Sequence, residues 1–118
     1  MNRVYLASPY THPDPAVRTR RARAVSRAAA CLMRRGEIVY SPVSMGHAIA
    51  EAAPELPHDF EWWQHQCMPY LEWADELIVL RLPGWAESRG VKEEIAEARK
   101  RGIPITYMTI GMAEGEAA

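Results

Sequence analysis

The apolar positions of this chain fall into short solid runs separated by longer stretches in which they recur every three or four residues. Val4-Tyr5-Leu6-Ala7 is the first run and reads as a strand, broken by Ser8-Pro9-Tyr10. Asp14-Pro15 starts a helix, Asp as N-cap and Pro at the first helical position. That helix runs to about Arg35, with Val17, Ala24, Val25, Ala28 and Leu32 as its buried stripe, and Gly36 closes it. Ile38-Val39-Tyr40 is the second strand, ended by Ser41-Pro42. Ser44 is placed to cap a short helix from Met45 to Ala52, after which Pro54 and Pro57 enforce a loop. From His58 to Glu72 the spacing of Phe60, Trp63, Cys67, Tyr70 and Leu71 is helical. Asp75 precedes a third strand through Leu82. Val91, Ile95 and Ala98 mark a last long helix ending at Gly102, and Ile103 to Met108 form the fourth strand.

Strands alternating with helices predict a parallel sheet with right-handed crossovers. The expected strand order is 2-1-3-4. Its switch point lies between strands one and three and brings Ser8-Pro9-Tyr10 beside the stretch from Gly84 to Glu94. The latter follows a strand and opens a helix, which is where ligands bind in open α/β sheets.

Composition narrows this picture. The 118 residues fit one domain, and 48% hydrophobic with 25% charged residues is ordinary for a globular chain. A net charge of −1 provides no global field for nucleic acid or an anionic membrane. No apolar run approaches the ~20 residues of a bilayer span. Cys31 and Cys67 form no paired motif, so a reducing cytoplasm is the expected compartment. Residues 1–110 are expected to form the domain, and the small, acidic stretch from Gly111 to Ala118 to fray.

Three carboxylates lie near the start of the last helix. Glu93 has Arg89 four residues back and Glu97 has Arg101 four on, so both read as surface pairs. Glu94 has no cation at those spacings, and its side chain leans toward Gly90. A glycine in a helical turn costs roughly 0.5–1 kcal/mol against alanine. Either room for a ligand beside Glu94 compensates, or Gly90 ends a turn and Glu94 sits at the positive end of the helix dipole. Ser8 and Ser88 each follow a strand, where hydroxyls and free N–H groups suit a phosphate or a sugar hydroxyl. Ser88 also suits an N-cap, and the two uses are compatible. Trp85 either closes over a base or sugar ring or packs under its own turn. Most of the other tryptophans are expected in the core or a subunit interface. The seven arginines of the first helix point in several directions and read as a solvated face rather than a nucleic-acid surface. His47 and Glu51 are one helical turn apart, without a third ligand at a recognisable spacing, so no metal site is expected.

The run Val4-Tyr5-Leu6-Ala7-Ser8-Pro9-Tyr10, the run Ala74-Asp75-Glu76-Leu77-Ile78-Val79 and the element Gly90-Val91-x-x-Glu94-Ile95 resemble the nucleoside 2-deoxyribosyltransferase superfamily. The wording of Leu82-Pro83-Gly84-Trp85 and Ser88-Arg89-Gly90-Val91 is closest to its bacterial and phage DUF1937 branch. The resemblance implies that Glu94 is a nucleophile for the anomeric carbon of a nucleoside, forming a covalent glycosyl intermediate as in retaining glycosidases. It implies phosphate binding at Ser8 and Ser88, and it matches Asp75 to an aspartate at the third strand. As residues alone, Asp75 reads as a buried acid tying loops together through backbone N–H groups. Cys67 stands where the superfamily usually has an acid, and a thiol cannot make a carboxylate's hydrogen bonds. The substrate then differs, an acid such as Asp14 or Asp59 substitutes, or activity is lost.

The combined expectation is a single flavodoxin-like, three-layer α/β domain, cytoplasmic and homo-oligomeric. It acts as an N-glycosidase or deoxyribosyltransferase on a nucleoside or nucleotide, with no cofactor. Glu94 is the expected nucleophile. Ser8, Tyr10, Asp75, Trp85, Ser88 and Gly90 are the expected binding residues. The alternatives are a non-catalytic nucleotide-binding module of the same fold and an interaction protein whose loop is only structural.

Overall fold

The computed structural model describes residues 2–113, and Ala113 by its backbone only. The elements are β1 (Arg3–Ala7), α1 (Pro15–Arg34), β2 (Ile38–Tyr40), α2 (Pro42–Ala52), α3 (Phe60–Cys67), α4 (Pro69–Trp73), β3 (Glu76–Leu80), α5 (Arg89–Lys100), β4 (Ile105–Met108) and α6 (Ile110–Ala113). The four strands form one parallel sheet in the order 2-1-3-4. This is the expected flavodoxin-like architecture.

Strand alternation divides the core into two layers. Val4 and Leu6 of β1 face one way, with Ile78 and Leu80, onto Val25, Ala28 and Leu32 of α1. Tyr5 and Ala7 face the other way, with Leu77 and Val79, onto Leu71, Val91 and Ala98 of α4 and α5. The central strands are buried on both sides, which is why they read as solid apolar runs rather than alternating ones.

Helix starts follow capping chemistry. The Asp14, Asp59 and Ser88 side chains accept backbone N–H groups of Ala16, Trp62 and Val91, respectively. The second helix starts earlier than expected. Ser41, not Ser44, is its cap, and Pro42 occupies the first turn, where proline's missing N–H costs nothing. The stretch expected as one helix from His58 to Glu72 is two, because Pro69 withholds its N–H and α4 begins there. The third strand stops at Leu80 and the fourth starts at Ile105, both shorter than expected. Gly111 to Ala113, expected in a frayed tail, belong to α6, and 114–118 lie outside the described residues.

The arginines of α1 divide by function. Arg21 donates to the carbonyls of Thr11 at 3.0 Å and Pro83 at 3.2 Å, and Arg18 donates to that of His12. They hold the loop after β1, and Arg21 joins it to the loop after β3. Arg20, Arg23, Arg27 and Arg34 are exposed and share one stripe, while Arg18 and Arg21 turn to the loops, so the arginines of this helix do point in several directions.

Candidate active site

A cleft of about 1090 Å³ opens at the carboxyl end of the sheet. Ser8 and Tyr10 reach it from the loop after β1. Gly84, Ser88, Gly90 and Glu94 reach it from the loop after β3 and the start of α5. The facing wall comes from α2 and α3, with His47, Glu51, Phe60, Trp63 and Cys67. The two loops converge because β1 and β3 are neighbours whose crossovers leave in opposite directions.

Glu94 is only 9% exposed, yet it lines this cleft. Its carboxylate accepts a 2.5 Å hydrogen bond from the Tyr5 hydroxyl, and among the described residues no cation pairs with it. Burial pushes its pKa up from 4.5 to about 7, against the opposing pull of the Tyr5 bond. Burial, and then the neighbouring Glu94 charge, hold the Tyr5 phenol well above its ordinary range, so Tyr5 is the donor. A carboxylate in this setting is poorly solvated, held by one neutral donor and open to a ligand, as a nucleophile must be.

Ser8 is also buried, and its hydroxyl has no hydrogen-bond partner among the described residues. An orphaned buried hydroxyl is costly unless a bound group satisfies it. Ser88 caps α5 with its Oγ 3.3 Å from the Val91 N–H, so its role in the fold is occupied while its position still faces the cleft. Gly90 lies on the cleft wall. A β-carbon there would meet the Phe60 ring at 4.0 Å, an ordinary contact.

Two expected residues stand elsewhere. Asp75 is at the amino end of the sheet, exposed, where it accepts the Arg3 N–H at 2.9 Å and pairs with the Arg3 guanidinium at 3.1 Å. Strand direction puts it opposite the cleft, where it ties the starts of β1 and β3 together, and it is exposed rather than buried. Trp85 does not line the cleft. It packs against Tyr107 of β4, ring centroids 5.6 Å apart, with Arg81 over both rings. Arg89 does not pair with Glu93. It reaches Glu61 of α3 at 2.9 Å and lies over the Phe60 ring, and both Arg89 and Phe60 line the cleft. The Glu97–Arg101 pair forms as expected, at 2.8 Å.

Cys67 lines the cleft, with the Tyr40 hydroxyl beside its thiol. Burial and the nearby Glu94 push the thiol pKa up against the pull of Tyr40, so it stays a neutral thiol. Neither Asp14 nor Asp59 lines the cleft, since both are spent capping helices. Neither is placed to supply the acid that the resemblance leads one to expect at the position of Cys67.

Sequence reasoning missed Tyr5 and the link between Tyr10 and α2. A tyrosine inside a solid apolar strand is a signal, because its buried hydroxyl needs a partner. The Tyr10 hydroxyl is 2.7 Å from His47 Nδ1, and His47 Nε2 is 2.5 Å from Glu51. The His47–Glu51 pair was visible as a one-turn spacing, but nothing local pointed to Tyr10.

The profile of the family described as "Domain of unknown function (DUF1937)" matches residues 2–110. Among solved structures, the fold is similar to a 2-deoxyribosyltransferase from the psychrotolerant bacterium Bacillus psychrosaccharolyticus, with a TM-score of 0.63 and 22% identity over 91% of this chain and 72% of that one. Comparison with curated proteins finds no match.

Proposed function

The chain belongs to the DUF1937 family, and from that premise and the geometry of the cleft we propose that it is an N-glycosidase or deoxyribosyltransferase acting on a nucleoside or nucleotide. One observation carries this reading: Glu94, a buried carboxylate held by a single tyrosine hydroxyl, lies on the wall of a cleft at the switch point of the sheet. The similarity in fold to a 2-deoxyribosyltransferase supports it.

In the proposed reaction the ionised Glu94 attacks the anomeric carbon. The C1′–N bond breaks with its electron pair going to the base, and a glycosyl ester forms on Glu94. Water or a second base then displaces the carboxylate. Ser8, with its orphaned hydroxyl, takes a sugar hydroxyl or phosphate oxygen, together with Ser88 at the start of α5. Gly90 leaves space for the sugar. Tyr10, Phe60 and Trp63 flank the ring system, taking the place expected for Trp85. The carboxylate carries the chemistry, so no cofactor enters it. No described helix is long and apolar enough to cross a membrane, and the free thiols of Cys31 and Cys67 fit a reducing cytoplasm. Self-association through the face around β2 belongs to the same proposal.

The second reading, a nucleotide-binding module without turnover, is favoured by the neutral thiol at Cys67. One experiment separates them. The protein and Glu94→Ala are incubated with deoxynucleosides and their 5′-monophosphates, and free base is followed by chromatography. Base released by the wild type and not by the variant is expected. Nucleotide binding without base release selects the module.

A further inference from the structure

Retaining cleavage of a neutral base needs a proton donor for the departing nitrogen as well as a nucleophile. Besides Glu94, the cleft wall has only two carboxylates among the described residues, Glu51 and Glu87. Glu87 is exposed on the rim. Glu51 is joined to the interior by a continuous hydrogen-bonded chain. Its carboxylate contacts His47 Nε2 at 2.5 Å, and His47 Nδ1 contacts the Tyr10 hydroxyl at 2.7 Å. The outer end is wet, with the Glu51 side chain 66% exposed, while that of His47 is 17% exposed. All three side chains line the same cleft as Glu94. They come from the loop after β1 and from one face of α2, so two rigid supports fix the chain.

We propose that Tyr10, His47 and Glu51 form a proton relay that supplies the acid–base function of this site, with Tyr10 at the substrate end and Glu51 at the solvent end. The proposal rests on the glycosidase reading given above and assigns that reaction its missing donor.

The geometry specifies the direction of transfer. Glu51 holds the proton on Nε2 of His47, leaving Nδ1 to face Tyr10. When the imidazole is doubly protonated, Nδ1–H donates to the Tyr10 oxygen, and the Tyr10 hydrogen is released toward the cleft. As the C1′–N electron pair moves onto the base, the base nitrogen takes the Tyr10 proton. Tyr10 takes the Nδ1 proton, and His47 is left neutral. In the second half the flow reverses. Tyr10 takes a proton from the attacking water while passing its own to Nδ1. The new C1′–O bond forms, and the ester bond pair returns to Glu94. Protons and electrons balance over the cycle with no further reactant. Here Tyr10 is the catalytic residue, and His47 and Glu51 act through it.

The test uses the leaving group. Deoxyguanosine needs a proton on its departing base, whereas 7-methyldeoxyguanosine carries a cationic base that departs neutral without one. Both are supplied with and without a 5′-phosphate, and kcat/KM is measured for the wild type, His47→Gln, Glu51→Gln and Tyr10→Phe. The expected loss for His47→Gln on deoxyguanosine is about 100-fold or more, the scale of general acid catalysis. On the 7-methyl substrate little loss is expected. Tyr10→Phe should show the same selective loss, and Glu51→Gln a smaller one. Equal losses on both substrates, or none on either, overturn the relay while the glycosidase reading stands. If the wild type releases base from neither substrate, and Glu94→Ala is indistinguishable from it, the glycosidase reading falls and the relay with it. Should His47→Gln fail to fold, the Tyr10→Phe and Glu51→Gln pair decides on the same criterion.

Discussion

Glu94 shows the cost of building a carboxylate into a core. Its folded pKa of about 7 lies above the ordinary 4.5, so the fold favours the neutral form. Between those values the folded state binds more protons than the unfolded one, and stability falls as pH rises. The contribution is fully present below pH 4.5 and is lost by a little above pH 7. A shift of that size corresponds to about 3 kcal/mol. Urea unfolding of the wild type is therefore expected to weaken by about that amount across this window. Glu94→Gln, which keeps an acceptor for Tyr5 and cannot ionise, should lack this loss and exceed the wild type at pH 8. Equal pH profiles for the two proteins would refute the burial argument. In the proposed reaction the same titration sets the rate, since the ionised form of Glu94 is the attacking one. The acid limb of kcat/KM is expected near pH 7.

At the scale of elements, two glycines on the cleft wall do different work. Gly84 has φ +89, and a β-carbon there would stand 2.9 Å from the Arg21 guanidinium that ties the loop to α1. Gly84→Ala is expected to cost about 1–2 kcal/mol, because the left-handed backbone is strained with any side chain. Gly90 has helical backbone and room for a β-carbon against Phe60. Gly90→Ala should gain about 0.5–1 kcal/mol in stability, while Gly90→Leu should fill the cleft and abolish ligand binding. Thermal unfolding of the pair with and without deoxynucleotide checks both signs. Unchanged binding by Gly90→Leu would contradict the placement of the ligand.

At the scale of the whole molecule, the tryptophans are half-buried and pack within the chain. Trp62 and Trp63 pack edge to face, Trp73 lies under Arg3, and Trp85 covers Tyr107. Among the described residues, the exposed large apolar side chains are Met33, Ile38, Met45, Ile49, Tyr70 and Ile110. The first four belong to α1, β2 and α2 around the outer strand of the sheet, and Tyr70 stacks on the β2 residue Tyr40. A second copy of the chain is the proposed cover. Sedimentation velocity is expected to give about twice the 13.3 kDa chain mass, and Met33→Glu with Ile49→Glu to return it to one. A wild type that sediments as a monomer at high concentration would dismiss this interface.

The sequence by itself determined the sheet and its order. Strands buried on both faces must be solid apolar runs, and parallel neighbours need helical crossovers. Both are periodic, local facts. It also singled out Glu94, because helix spacing alone left that carboxylate without a cation. Cap assignment was legible at Asp14 and Ser88, and missed at Ser41 because Ser44 offered an equally good local signal. Tertiary structure decided the rest. Asp75 and Trp85 lie in sequence beside elements that touch the cleft, yet strand polarity sends one to the far end of the sheet and β4 captures the other. Tyr5 meets Glu94 across 89 residues and Tyr10 meets His47 across 37, contacts set by which strands pair rather than by any spacing. A side chain's chemistry is written locally, but its partner is chosen by the crossovers that bring distant loops to one end of the sheet.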